Sequence, residues 1–537
     1  MSRYASGATV YPHPAQSADA FIAGLLDLVT HDTYDLVVPV TDWTIGPLLA
    51  HRATIEAHAP LALGPTPSVL ATQSKSRTEA LARSLGIPTP RTLVVTGAAE
   101  PDVAALEPAS RWRHPLVVKA DTSKVFAPDG SGVHTTATYA ETPLELVRAL
   151  RLLAPVGPRV VQEYVEGEGV GLGVLASHGQ LLVAFQYRRL HEVPLTGGGS
   201  SYRVSEPLDP TIVGHARALL SALDWTGVAM LEFRRSKDGS VLSLLEINGR
   251  FWGSLALAIA SGVDFPALAW DLLVLEQPPA VHDYRVGQRC RDLDSDLRWL
   301  RGALRPRDVP EERRPRLTSI VTDTVRLLDP REAVDSLALD DPTPSLASLV
   351  ETASDIAAVA TRHLNHRAQL LRHAAEQRFP TRLQAELRRA RSLLMVCHGN
   401  IIRSAYAAAA LRQRLGPSAS LTVASAGLAA DEGVSAHELA RQVALERGVD
   451  LDVHQARRAT AAILTEVDLV IVMDVEQWNR AVQLSPSTRS RVHLLGAFSP
   501  HVRLEVVDPI GGGTASVVRC FDHIDQVIAS MVSLLTR

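Results

Sequence analysis

Leu393–Leu415 reads LLMVCHGNIIRSAYAAAALRQRL: an apolar run ending in a cysteine, a glycine-bearing turn, and an alanine-rich stretch that begins just after an arginine. The unbroken apolar run marks a buried strand, Gly399 a loop, and SAYAAAALRQRL a strong helix former. In that order the loop sits at a helix N-terminus, where exposed N–H groups and the helix dipole attract an anion and favour a thiolate. Cys397 is then a candidate nucleophile and Arg403 a bidentate clamp on phosphate oxygens. Ser404 can donate to the sulfur, and Asn400 can hold the loop through side-chain to backbone bonds. A bare Cys-x5-Arg pair weighs little here. With three cysteines and 50 arginines in 537 residues, chance supplies about 0.3 such pairs, so context decides.

The rest of the chain supplies that context. Its 537 residues suffice for roughly two to four domains. A hydrophobic content of 46% with 21% charge describes an ordinary soluble globular protein rather than a disordered or fibrous one. The net charge of -4 gives no pull toward nucleic acid or an anionic membrane. No apolar run has membrane-spanning length, the N-terminus lacks a secretion signal, and Cys290, Cys397 and Cys520 form no CxxC pair. These features point to a cytoplasmic protein with reduced thiols and no structural zinc. Only Lys75, Lys119, Lys124 and Lys237 break the preference for arginine.

Residues 1–72 read as an α/β unit with a parallel sheet and an N-terminally short pattern, and 73–280 as a second unit. Residues 281–345 are a weakly patterned extension, 346–391 a helical connector, and 392–537 strand–helix alternation again. Within the second unit, VAMLEFRRSKDGSVLSLLEINGRF (Val228–Phe251) is a hairpin about a KDGS turn. Pairing about a turn centred on Gly239 sets Glu232 opposite Glu246. Like charges so placed need neutralising. A divalent cation shared with Asn248 and phosphates does this, and neighbouring Arg234 and Arg235 do it equally well. Arg250 follows, placed to touch a transferred phosphoryl group. Lys119 ends an apolar strand, where it can hold a nucleotide phosphate or simply snorkel. The DGSG loop after it, Asp129–Gly132, can cover phosphates with N–H groups.

Taken together, Lys75 in SKSRTEALARSLGIPTP, Lys119 in PLVVKA, QEYVEGEG, Glu232 and LLEINGRFWGSLALAIASGVDFP resemble the ATP-grasp superfamily, nearest its carbamoyl-phosphate-synthase-like and carboxylate–amine ligase branch. The resemblance covers roughly residues 1–340. It implies an ATP-grasp fold, ATP with two Mg²⁺ (or Mn²⁺), an acyl-phosphate intermediate, and small-molecule carboxylate and amine substrates. On that basis Lys75 and Lys119 hold ATP phosphates, and Glu163, Tyr164, Val165 and Glu168 bind adenosine. Glu232, Glu246 and Asn248 bind metal, Arg250 the phosphoryl group in flight, and Arg188, Arg189 and Thr196–Ser201 the acceptor.

The C-terminal 392–537 resembles the low-molecular-weight protein tyrosine phosphatases in the order VCHGNIIRS, TVASAGL, GVDLDVHQAR, DLVIVMD and EVVDPIGG. That family implies a doubly wound parallel sheet, attack by Cys397 to give a cysteinyl-phosphate, and Asp508 as acid and then base. Ile402 stands where the family often has a cysteine, so a protective disulfide is not expected, and Cys520 reads as a core residue. Ala405 replaces a usual proline, and Ile510 and Gly511 replace an aromatic, which favours a phosphorylated metabolite over a phosphoprotein. The expected whole is a bifunctional ligase and phosphatase. A regulatory tyrosine phosphatase whose ATP-grasp region only senses nucleotide is the alternative.

Overall fold

In the computed structural model, SLLMVC (Ser392–Cys397) is an inner strand of a four-stranded sheet. The structure describes residues 2–97, 106, 109, 111–122, 124–126, 132–135, 137–195, 197–236, 238–279, 283–304, 315–329, 331–337, 340–510 and 513–536. The sheet's strands run Thr422–Gly427, Ser392–Cys397, Leu469–Val472 and Val492–Leu494, each pair parallel. Parallel sheets are covered on both faces, and the unbroken apolar run divides accordingly. Leu393, Met395 and Cys397 enter one apolar cluster, Leu394 and Val396 the other. The helix Arg403–Leu415 packs against the helix Gly513–Leu535, with the Tyr406 and Phe521 rings stacked 3.6 Å apart. Residues 402–411 are all buried. The alanines therefore serve close packing on every side as much as helix propensity.

The chain divides into two compact units, Met1–Val350 and Glu351–Arg537. The expected connector becomes a helix, Pro342–Arg378, followed by a second, Thr381–Arg389. Their later residues belong to the core of the second unit, with Leu383 and Leu387 in the same apolar cluster as Met395.

In the first unit a four-stranded antiparallel sheet orders Thr92–Val95, Arg159–Glu163, Leu116–Ala120 and Thr138–Ala140. A seven-stranded sheet orders Leu242–Asn248, Gly227–Arg235, Glu168–Ser177, Gln180–Val193, Gly199–Ser205, Arg289–Arg291 and Glu332–Val334, antiparallel until its final parallel pair. The N-terminal helices lay Phe21, Ile45 and Ile55 on one face of this sheet, against Leu172, Leu231 and Ile247. The parallel sheet expected within residues 1–72 is reduced, among the described residues, to one bridge, Val37 to Leu61. Val38 and Val40 beyond it are exposed. Among the described residues no single helix is long and apolar enough to cross a membrane.

One buried ionic cluster fastens the far end of the large sheet. His191 contacts Asp296 at 2.7 Å and Asp323 at 3.2 Å, and stacks on Trp299 at 3.4 Å. Arg291 also pairs with Asp296, so strands and the helices Leu293–Leu304 and Leu317–Val325 share one network. Burial lowers the imidazole pKa, but hydrogen bonds to the two aspartates outweigh it and the net shift is upward. A group raised in the folded state adds stability that is complete below its unfolded pKa and is lost as pH rises through the folded value. Resistance of the first unit to thermal unfolding should therefore fall as pH climbs above the ordinary imidazole value of about 6.5. His191→Gln should flatten that dependence; an unchanged slope contradicts the assignment.

Candidate functional site

The first site lies where the two sheets of the first unit approach. The start of the helix Lys75–Ser84 is tied to the end of strand Leu116–Ala120. The Asp121 carboxylate accepts from the Ser76 amide at 2.8 Å and the Ser74 hydroxyl at 2.7 Å, and its carbonyl accepts from the Lys75 amide at 3.0 Å. This anchoring brings Lys75 and Lys119 to one cavity of about 350 Å³. Glu163, Tyr164, Val165, Glu232, Glu246, Asn248 and Arg250 line the same cavity. Asp129, Gly130, Ser131 and Thr196 lie outside the described residues.

Glu232 and Glu246 do face each other, by a route the sequence reading missed. Near the turn Arg235 pairs with Leu242 and Phe233 with Leu244, one residue out of the register expected for a turn centred on Gly239. A bulge at Leu245 restores that register for the carboxylates. Arg234 and Arg235 do not neutralise them. Arg234 reaches Glu192 at 2.9 Å and Arg235 reaches Glu206 at 2.9 Å. Arg189 takes that part instead, forking onto both oxygens of Glu232 at 2.7 and 2.5 Å. Burial, then Glu246 opposite, raises the Glu232 pKa against the pull of Arg189. For Glu246 burial also acts upward, but Lys75 and Lys119 outweigh it and the net shift is downward. Lys119 is held below the ordinary lysine value, first by burial and also by Lys75, against the two glutamates.

Strand alternation explains where Glu168 and Arg188 go. Glu168 pairs opposite Arg235, out of phase with Glu232, so it points to the other face. There it meets Arg188 at 3.1 Å, and it does not line the cavity. Arg188 also bonds Glu206 at 2.7 Å, so of the two arginines expected at an acceptor only Arg189 faces inward. Gly169, Gly171 and Gly173 make this possible. A Cβ on them would come within 2.7 Å of Arg189, 2.3 Å of Tyr187 and 2.2 Å of Trp252, whose side chains lie across the strand. The period-two glycines of EGVGLGV were the overlooked signal. Asp42 had none: from the first unit's helix Asp42–Ala50 it grips Arg250 at 2.6 and 2.8 Å, 208 residues away.

Among the described residues no cluster of three His, Cys, Asp or Glu side chains stands ready for a metal. The donor set is nonetheless all oxygen: two opposed carboxylates and the Asn248 Oδ1, which now accepts from Arg250 at 3.2 Å. That set suits a hard divalent cation arriving with phosphates.

The second site is the loop His398–Ile402. Cys397 Sγ accepts from the Asn400 amide at 3.2 Å and the Ser404 hydroxyl at 3.0 Å. The N-cap Ile402 supplies no side-chain acceptor, so the first-turn N–H groups are left for an anion. Asn400, at φ 55°, holds the left-handed bend that asparagine tolerates. Its Nδ2 donates to Ser404 at 2.9 Å, its Oδ1 accepts from the Arg457 amide at 2.9 Å, and its carbonyl accepts from His454 at 2.7 Å. The loop rests on Gly427, where a Cβ would lie 2.6 Å from the His398 carbonyl. Arg403 is buried and bonds Asp474 at 3.0 Å, the Val506 carbonyl at 3.2 Å, and Asp508. His398, Arg403, Asp474, Val506 and Asp508 line a cavity of about 310 Å³ whose lining, among the described residues, holds no Phe, Tyr or Trp. Cys290, Cys397 and Cys520 are unpaired and buried, and burial pushes the Cys520 thiol up to about 12.

A cysteine beneath an amide-lined loop, at the tip of an inner parallel strand and beside a buried arginine, defines the low-molecular-weight phosphatase class. Residues 392–537 match the family model described as low molecular weight phosphotyrosine protein phosphatase, and the chain belongs to that family. Residues 156–295 match the model described as ATP-grasp in the biosynthetic pathway with Ter operon, so an ATP-grasp domain precedes the phosphatase domain. The probable low molecular weight protein-tyrosine-phosphatase AmsI of Erwinia amylovora is 32% identical over 146 residues, 27% of this chain and 98% of that one. Wzb of Salmonella typhi, a low molecular weight protein-tyrosine-phosphatase, is 38% identical over 117 residues, 22% of this chain and 75% of its own. The crystal structure of AmsI covers 28% of this chain and 95% of its own, with a TM-score of 0.26.

Three substitutions test the geometry. Arg189→Ala strands a buried carboxylate and should cost the first unit about 3 kcal/mol in chemical unfolding. Adding Glu232→Gln should recover part of that loss; strictly additive losses would contradict the pairing. Gly427→Ala should displace the loop and lower turnover of an aryl phosphate at least about tenfold, with the second unit still folded by circular dichroism.

Proposed function

We propose that the chain is a bifunctional enzyme: an ADP-forming carboxylate–amine ligase followed by a cysteine-dependent phosphomonoesterase. The observation that carries the second activity is the convergence of two donors on Cys397 with Arg403 and Asp508 beside it. The sulfur attacks phosphorus, the ester P–O bond breaks, and Asp508 gives its proton to the departing oxygen. Asp508 then takes a proton from water as water displaces the sulfur, releasing inorganic phosphate. Arg403 must turn part of its fork from Asp508 to the phosphate oxygens, a trade of one anion for another. The absence of Phe, Tyr and Trp from the cavity lining among the described residues, with Ile510 exposed, supports a small phosphorylated metabolite over a phosphotyrosine protein. Gly511 lies outside the described residues.

In the first unit Lys75 and Lys119 would hold nucleotide phosphates, the backbone of Glu163–Val165 the adenine edge, and Arg250 the phosphoryl group in transfer. A substrate carboxylate attacks the terminal phosphorus, ADP leaves, and an amine displaces phosphate from the acyl carbon. Glu232, Glu246 and Asn248 would hold Mg²⁺, which neutralises phosphate charge when bound. Arg189 aligns Glu232, and Asp42 restrains Arg250, until ligands arrive. Those same ion pairs favour a second reading, a nucleotide sensor attached to a phosphatase, because the groups needed for transfer are already engaged.

Turnover of p-nitrophenyl phosphate should disappear in Cys397→Ser and fall about 100-fold or more in Asp508→Ala; an active Cys397→Ser variant would refute the assignment. ADP release from ATP should require both a carboxylate and an amine and should vanish in Glu246→Ala. Nucleotide binding without ADP release across a broad panel of acids and amines supports the sensor instead.

A further inference from the structure

Asp508 does not stand on a strand or helix. It ends an irregular segment, Ser499–Asp508, that crosses the second unit and carries the Val506 carbonyl to Arg403. A general acid on such a strap is only as well placed as the contacts that hold the strap. Some come from within the region matched by the phosphatase family model. The Val506 amide donates to the Met473 carbonyl at 2.8 Å, and His523 donates to the Arg503 carbonyl at 2.9 Å. The others come from the helix Pro342–Arg378, which precedes the region matched by the phosphatase family model.

Two side chains of that helix reach the strap. The Gln377 amide nitrogen lies 3.0 Å from the Gly496 carbonyl, 2.6 Å from that of Ser499 and 3.0 Å from that of Val502. It thus satisfies carbonyls that have no ladder to join. His366 contacts Glu505 at 3.1 Å, and the same Glu505 oxygen accepts the Val475 amide at 3.0 Å. Val475 opens the helix Val475–Leu484, whose N-cap Asp474 bonds Arg403. A continuous chain of contacts therefore runs from His366 through Glu505 and Asp474 to Arg403, while Gln377 fixes the strap's other end.

We propose that Gln377 and His366 are positioning residues for the phosphatase reaction, holding the acid strap so that Asp508 meets the leaving oxygen. The inference rests on the phosphatase reading above and adds to it an element outside the matched family region. Its chemical consequence is specific. A misplaced acid matters for a leaving group that needs a proton and matters little for one that leaves as a stable anion.

The test compares phenyl phosphate with dinitrophenyl phosphate in the full-length chain, with Asp508→Ala as the reference for loss of the acid. Gln377→Ala and His366→Ala should each lower kcat/KM for phenyl phosphate, which reports the step that expels the leaving group, about tenfold. Both should leave kcat/KM for dinitrophenyl phosphate within about twofold, and His366→Gln, which keeps a donor, should restore much of the loss. Should Gln377→Ala fail to fold by thermal melt, the partly exposed His366 pair decides alone. Equal losses for both esters, or none for either, overturn the brace while leaving the phosphatase intact. Absence of wild-type turnover on both esters overturns the reading on which it rests.

Discussion

A buried guanidinium needs partners for its charge, and Arg403 gathers the second site for that reason. It draws Asp474 from one helix N-terminus, a carbonyl from the strap and Asp508 from the strap's end into one place. The loop above Cys397 closes on the same point because Asn400 spends its carbonyl and both side-chain atoms on fixed partners. An incoming phosphate dianion can replace carboxylate oxygens around Arg403 without leaving charge unpaired. The resting ion pairs thus prepare the cradle for the ligand that displaces them.

The first unit handles charge in the same manner with different parts. Glu232 and Glu246 stand opposed in a cavity where Arg189 answers the first, and Lys75 and Lys119 answer the second. Asp42 holds Arg250 aside. Before any nucleotide or cation arrives, each catalytic candidate has a protein partner, so binding must exchange partners rather than fill empty positions. Ordering by internal ion pairs keeps side chains in reach of the reaction while limiting the desolvation cost of bringing charge into a half-closed cavity.

Much of this was legible in residues 392–415 and 228–251, because strand, turn and helix punctuation there is local and strong. The four-stranded parallel sheet follows from apolar runs alternating with helices, and nine of the ten residues expected at nucleotide, metal or transferred phosphoryl group line one cavity. Other features depend on information a linear reading lacks. The Leu245 bulge offsets an error in the turn centre, so the Glu232–Glu246 pairing emerged from the wrong arithmetic. Glu168 lies on the other face of its strand, a phase that period-two reasoning from the glycines of EGVGLGV would have revealed. Asp42 with Arg250, and Gln377 with the acid strap, are contacts between distant segments whose local sequence carries no mark of the partner.

The central claim is that Cys397, cradled by its loop and facing Arg403 and Asp508, carries the phosphoryl group during turnover. Acid-quenched mass spectrometry of Asp508→Ala reacted with dinitrophenyl phosphate tests it most directly, since that ester can load the sulfur while the missing base slows release. The account predicts a phosphoryl group on the peptide containing Cys397. Continued ester hydrolysis with that peptide unmodified, or a phosphoryl group on another residue, would contradict it.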